Sequence, residues 1–188
     1  ENPASKANRV RAVRVNQFTD YANLEVEEIA ALGPPGPGEV RFDVHATGVS
    51  FSQSLVVSGR YQRRPPLPFT PGPEAAGVVT AVGAGVTRVS PGDCIVAILD
   101  WGAWAAAAMA RDVNVFPLPD GISFEEAIPF ASSYPTSYVS LIWPHGLEIT
   151  EGDVLLVHGA AGGVGLAAVE LGKALGATVI ATVGSAGK

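Results

Sequence analysis

The run Gly159-Ala160-Ala161-Gly162-Gly163-Val164-Gly165 has the residue types and spacing to hold a phosphate-bearing ligand. Glycines let the backbone turn sharply and approach a pyrophosphate, and the first N–H groups of a following helix carry partial positive charge. A glycine string alone is a weak signal, because small residues also pack ordinary turns. Its neighbours supply the context the motif requires. Val154-Leu-Leu-Val157 precedes it, an apolar run that predicts a parallel strand covered on both faces. Gly165 to Leu175 predicts a helix with Leu166, Val169, Ala174 and Leu175 toward a sheet, ended by a C′ glycine at Gly176. Thr178 to Val183 predicts a second apolar strand, so the whole reads as a β-α-β dinucleotide-binding unit.

NAD sites usually place Asp or Glu at the end of the second strand, against the ribose 2′-OH. From Leu171 to Lys188 there is no acidic residue, and the segment ends Gly184-Ser185-Ala-Gly-Lys188. A hydroxyl and an ammonium suit a 2′-phosphate, which favours NADPH over NADH. A plain surface role for Lys188 is the alternative.

Other reactive groups are sparse. Cys94 is the single cysteine, which excludes an internal disulfide and a cysteine-based metal cluster and fits a reducing compartment such as the cytosol. His45, His145 and His158 have no metal-like spacing and read as structural. The cluster Arg60 to Arg64 is short and interrupted, as in a solvated loop. A net charge of -6 disfavours a nucleic-acid partner. Glu1 to Asn8 lacks an apolar h-region and reads as a flexible tail, and no run is long enough to span a membrane.

The elements that must position these residues divide the chain. Its 188 residues include 22 Gly and 15 Pro, which favours short strands over long helices in the first two thirds. Strands are predicted at Arg9 to Asn16, Leu24 to Ala30, Glu39 to Val49, Gly77 to Val82 and Cys94 to Ile98. Trp101 and Trp104, with Ala105 to Ala108, suggest a further strand. Together they predict an all-β domain, barrel or sandwich. Near Ser123 the pattern turns helical. Ser123-Phe-Glu-Glu126 is a capping box, and Pro129 and Pro135 predict a break between two short helices before Ile142.

Residues 9 to 188 resemble the medium-chain dehydrogenase/reductase superfamily, and within it the zinc-independent quinone oxidoreductases. The likeness is carried by Gly48-Val-Ser-Phe-Ser-Gln53 with Ser58-Gly-Arg-Tyr61, by Pro65-Pro-Leu-Pro-Phe-Thr-Pro-Gly-Pro-Glu-Ala-Ala-Gly77, and by Val157-His-Gly-Ala-Ala-Gly-Gly-Val-Gly165. Asn114 to Asp120 adds to it. The fold implied is mixed β and α/β. A GroES-like β-rich catalytic domain, 9 to 127, is followed by the start of a Rossmann domain, 128 to 188, with the active site in the cleft between them. A lone β-α-β unit leaves sheet edges and an apolar face open, so the expectation is a piece of a longer protein or one completed by another chain.

The resemblance also implies roles. Ser50 stands where zinc-dependent relatives carry a Cys ligand and quinone oxidoreductases an Asn near the nicotinamide. Pro73 falls within the stretch that normally reads Gly-His-Glu. Neither can serve zinc well, so no metal is expected. Glu74, in a turn, is implied to be a buried structural acid. Tyr61 matches a proton-donating tyrosine of enoyl reductases, although it could equally pack its ring on the barrel. Thr136 matches a threonine near the nicotinamide, and Gln53 replaces an acidic residue. The implied activity is hydride transfer from NADPH to a quinone or other α,β-unsaturated carbonyl, in a family that is often homodimeric. An enoyl-thioester reductase, with the arginines meeting a carrier phosphate, is the alternative, as is a non-catalytic, vesicle-associated relative.

Overall fold

The computed structural model describes residues 9–185 and residue 187. The tail read at Glu1 to Asn8, and Lys188, lie outside the described residues. The chain divides into two compact units, one ending at Ile128 and the other beginning at Pro129.

The first unit is built from seven strands. β1 (Arg9–Arg14) and β2 (Glu25–Ala30) pair antiparallel. β3 (Glu39–Thr47), β4 (Glu74–Val82), β5 (Cys94–Ile98), β6 (Ala107–Arg111) and β7 (Val115–Pro117) form an antiparallel sheet in the order β6-β3-β4-β5-β7. Period-two alternation places Val40 and Phe42 inward, where they join Val79, Ile95, Ala97, Ala108 and Val115 in one fully buried cluster. The β3–β4 ladder carries register shifts after Arg41 and Val44, which bend the sheet.

Two expectations in this unit are corrected, and two short elements went unread. β4 begins at Glu74 rather than Gly77, so Glu74 sits on the ladder opposite Ile98 and not in a turn. Trp104 precedes its strand. The segment around it is a loop stitched by Val13 N–H to the Trp104 carbonyl (2.8 Å) and Trp104 N–H to the Pro71 carbonyl (2.9 Å), and β6 starts only at Ala107. A run of alanines has no periodicity to mark that boundary. β7 went unread because three residues are too few to show alternation. Phe51–Val57 is a helix, α1, which strand and turn signals alone missed. Gln53, Val56 and Val57 are its buried face, at helical spacing, and the two valines pack with Val15 and Phe69.

α2 (Phe124–Ala131) opens with the capping box intact. Ser123 N–H and hydroxyl both donate to the Glu126 carboxylate, at 2.9 and 2.7 Å, and Glu126 N–H returns to Ser123 Oγ at 3.2 Å. The helix runs through Pro129, and the break falls at Ser132, ahead of α3 (Ser133–Leu141). Pro135 lies in the first turn of α3, where its missing N–H costs no helical bond.

In the second unit, parallel strands β8 (Val154–His158) and β9 (Thr178–Thr182) flank α4 (Gly163–Ala174). Leu155 and Val157 are buried with Leu141, Ala160 and Ala177. Val154 and Leu156, on the other face of β8, are 65% and 53% exposed, so one face of this strand is covered rather than two. Leu166 is also exposed, while Ala168, Val169 and Leu171 meet the sheet. Gly176 takes φ 82°, the left-handed C′ position expected for it.

Replacing Ser123 by Ala removes half of the capping box, and chemical denaturation should show a loss of about 1 kcal/mol.

Candidate active site

The glycine loop follows directly from the end of β8. Gly159 takes φ 66°, and Gly162 N–H donates to its carbonyl at 2.9 Å, closing a tight turn. The turn is pinned to β9 twice. Ala160 N–H donates to the Thr182 carbonyl at 3.0 Å, and the His158 Nδ1 and Thr182 Oγ1 atoms are hydrogen-bonded at 2.9 Å. Gly162 is the extended N-cap, and Leu166 N–H donates to its carbonyl at 2.8 Å. The N–H groups of Gly163, Val164 and Gly165 therefore have no helical acceptor.

Two glycines divide the work. A Cβ at Gly165 would lie 2.4 Å from the Gly159 carbonyl oxygen, so its absence lets the helix start against the turn. A Cβ at Gly162 would meet nothing closer than 3.4 Å, so this side is open to a ligand. A cavity of about 420 Å³ lies there, lined by Gly159, Ala161, Gly162, Val183 and Gly184. Ser185, exposed, follows Gly184, and no carboxylate lies on this segment. Unpartnered N–H groups at the helix start beside a cavity free of large side chains fit a dinucleotide's diphosphate. Ala160 is buried, so of the predicted loop residues it supports the turn rather than facing the cavity.

Thr136 donates its hydroxyl to the Ser132 carbonyl on its own helix at 2.8 Å, leaving only its lone pairs for any ligand. The next residue, Ser137, went unread. It is 1% exposed and donates to the Val164 carbonyl at 2.7 Å. Tyr134 hydrogen-bonds the Glu170 carboxylate, a second tie from α3 to α4. Serine is common on helix surfaces, so nothing in the sequence separates Ser137 from Ser133 or Ser140.

In the first unit, Ser50 is the N-cap residue of α1 and exposed, its Oγ 2.9 Å from that of Ser52. The segment leading to it is clamped by two aromatic donors. The Tyr21 hydroxyl donates to the Ser50 carbonyl and Trp104 Nε1 to the Gly48 carbonyl, both at 2.9 Å, with the two rings 5.9 Å apart. Burial raises the Tyr21 phenol above its ordinary pKa, which keeps it a donor. Gln53 is buried, and its Oε1 accepts from Gly72 N–H at 3.4 Å. Tyr61 lies beyond the far end of α1, 39% exposed, with no hydrogen bond from its hydroxyl to any described residue. A seven-residue helix is about 10 Å long, so Ser50 and Tyr61 flank α1 and do not touch. Arg63 pairs with Asp100 at 2.8 Å, both exposed, while Arg60 and Arg64 have no such partner among the described residues.

The histidines are dispersed: the His45 ring packs tilted against Phe124 with centroids 4.6 Å apart, His145 sits in a loop with φ 74°, and His158 braces β9. Cys94 is a free, exposed thiol. Among the described residues no three His, Cys, Asp or Glu side chains gather as metal ligands, and no helix is long and apolar enough to cross a membrane.

Residues 36–120 match the alcohol dehydrogenase GroES-like domain family. The chain is 37% identical over 177 residues to the quinone oxidoreductase of Pongo abelii, covering 94% of this chain and 53% of that one. The human synaptic vesicle membrane protein VAT-1 homolog-like protein superposes with a TM-score of 0.88 at 32% identity, over 94% of this chain and 57% of that one. The quinone oxidoreductase of Thermus thermophilus, also solved as its complex with NADPH, superposes with a TM-score of 0.78 at 30% identity, over 94% and 54% of the two chains. The chain thus spans about half the length of the curated relatives it matches.

Glu74 is buried, and a Cβ on Gly48 would fall 2.0 Å from its Oε1, so its carboxyl lies against the Gly48 backbone. Burial raises its pKa above 4.5. The folded state then holds this proton more tightly than the unfolded chain. Stability is highest where both forms are protonated and falls as pH rises from the ordinary carboxylate pKa to the raised one. Glu74→Gln should remove that fall, so its stability gain over the wild type, measured by denaturation across pH, should grow from acid toward neutral pH.

Proposed function

Because the chain belongs to the quinone-oxidoreductase-like medium-chain dehydrogenase/reductases, we propose that the whole protein reduces a quinone or another α,β-unsaturated carbonyl with NADPH and without zinc. The single observation that carries this is the open side of the Gly159–Gly165 turn. It combines three helix-start N–H groups without helical acceptors, a cavity lined by backbone and small residues, and a following segment with no carboxylate. The Thermus relative's complex with NADPH supports the choice of cofactor.

NADPH, when bound, supplies a hydride. The Gly163, Val164 and Gly165 N–H groups would hold its diphosphate, and Ser185 would meet the ribose 2′-phosphate. In the first unit Ser50 would offer a hydroxyl to the acceptor, its segment held by Tyr21 on the Ser50 carbonyl and Trp104 on that of Gly48. As the acceptor gains two electrons, one of its oxygens becomes an oxyanion and takes up a proton. Tyr61, with its phenol free, can hold or deliver that proton. Neither zinc nor a substitute Lewis acid is required, because the conjugated acceptor spreads the developing charge. The lone Cys94 suits a cytosolic setting.

In the full-length protein, NADPH should be oxidised by a simple quinone and should bind at least about tenfold more tightly than NADH in a fluorescence titration. Equal or tighter NADH binding would overturn the cofactor. Turnover of an enoyl thioester with refusal of quinones would overturn the acceptor, and NADPH binding without turnover of either would overturn catalysis and leave a non-catalytic relative.

A further inference from the structure

We propose that Ser137 is a positioning residue for the nucleotide loop, strengthening the Gly165 N–H as a donor to a bound diphosphate by hydrogen-bonding the Val164 carbonyl. This rests on the reading of the loop as an NADPH site.

The Val164 carbonyl and the Gly165 N–H are the two ends of one peptide group. A hydrogen bond accepted by that carbonyl draws electron density from the amide nitrogen and makes its N–H a better donor; such chains strengthen each bond by roughly 10–30%. Ser137 supplies this bond at 2.7 Å from a position with 1% exposure, where no water competes for it. The Gly165 N–H at the other end is one of the three without a helical acceptor. Ser137 thus sits behind the helix start, opposite the side a ligand would approach.

The neighbouring hydroxyls of α3 do something else. Thr136 and Ser140 return to carbonyls of their own helix, those of Ser132 and Thr136. A Cβ on Gly163 would come within 2.8 Å of Ser133 Oγ, so α3 and α4 approach closely at this point. With the Tyr134–Glu170 contact farther along α4, the position of the Ser137 hydroxyl is fixed by packing on both sides. The Val164 carbonyl also lies in the helical ladder, where Ala168 N–H is its ordinary partner, so removing the serine hydroxyl leaves no acceptor orphaned.

The test is Ser137→Ala in the full-length protein, with Ser137→Cys as a second variant that keeps the shape and weakens the donor. NADPH and adenosine 2′-phosphate, which lacks the diphosphate, are titrated in parallel, and thermal unfolding checks the fold. The expected result is an affinity for NADPH reduced about fivefold in the alanine variant and less in the cysteine one, with adenosine 2′-phosphate unchanged. Unchanged NADPH affinity overturns the proposal. Equal loss for both ligands also overturns it, because that is what a merely structural serine would produce. If the wild type itself fails to bind NADPH, the proposed function falls and this role falls with it.

Discussion

Helix α4 can begin where it does only because Gly165 has no side chain. Its backbone lies against the Gly159 carbonyl, with no room for a Cβ. That contact brings the helix start up to the end of β8, where its first N–H groups have no helical acceptor. The surrounding bonds follow from it. Ala160 reaches Thr182, His158 braces the same residue, and Ser137 closes on the helix from α3. Each fixes a peptide whose direction is already set by the close approach of loop and helix. A larger residue at 165 would push α4 outward and misdirect every donor in its first turn.

The first unit shows the same economy at the entry to α1. Gly48 and Ser50 offer carbonyls, and Trp104 and Tyr21, from distant parts of the chain, supply the donors. Buried Gln53 ties the helix to Gly72. Ser50 and Gln53 both occupy defined positions. Ser50 keeps its side chain outward while its backbone is held, and Gln53 uses its amide oxygen as a structural acceptor.

What could be read from sequence was periodicity and turn chemistry. Val40 and Phe42 announced β3 by alternation, Gly176 marked the end of α4, and Ser123 with Glu126 marked the start of α2. The glycine loop was legible because its chemistry is local. What stayed hidden depended on partners far along the chain. α1 is a short helix rich in serine, held by Val15 and Phe69 from outside the segment. The break that Pro129 and Pro135 foretell does fall between them, at Ser132, with Pro129 itself inside α2. Ser137 matters through Val164, 27 residues away, and a serine carries no mark of its distant acceptor. Val154, Leu156 and Leu166 stand exposed, the open apolar face expected of a lone β-α-β unit in a chain that spans about half the length of its relatives.

The two units also differ in how they finish a sheet. The five-stranded sheet ends at β7, three residues long and closed by Pro117, which has no N–H to offer. Such an edge cannot template a neighbouring strand. The parallel pair β8–β9 has no comparable device. Val154, Leu156 and Ile180 stand exposed on strands that carry no proline and no lysine. In colloidal terms the β7 edge is passive: a strand approaching it at high concentration finds no backbone donor at Pro117 to lock onto.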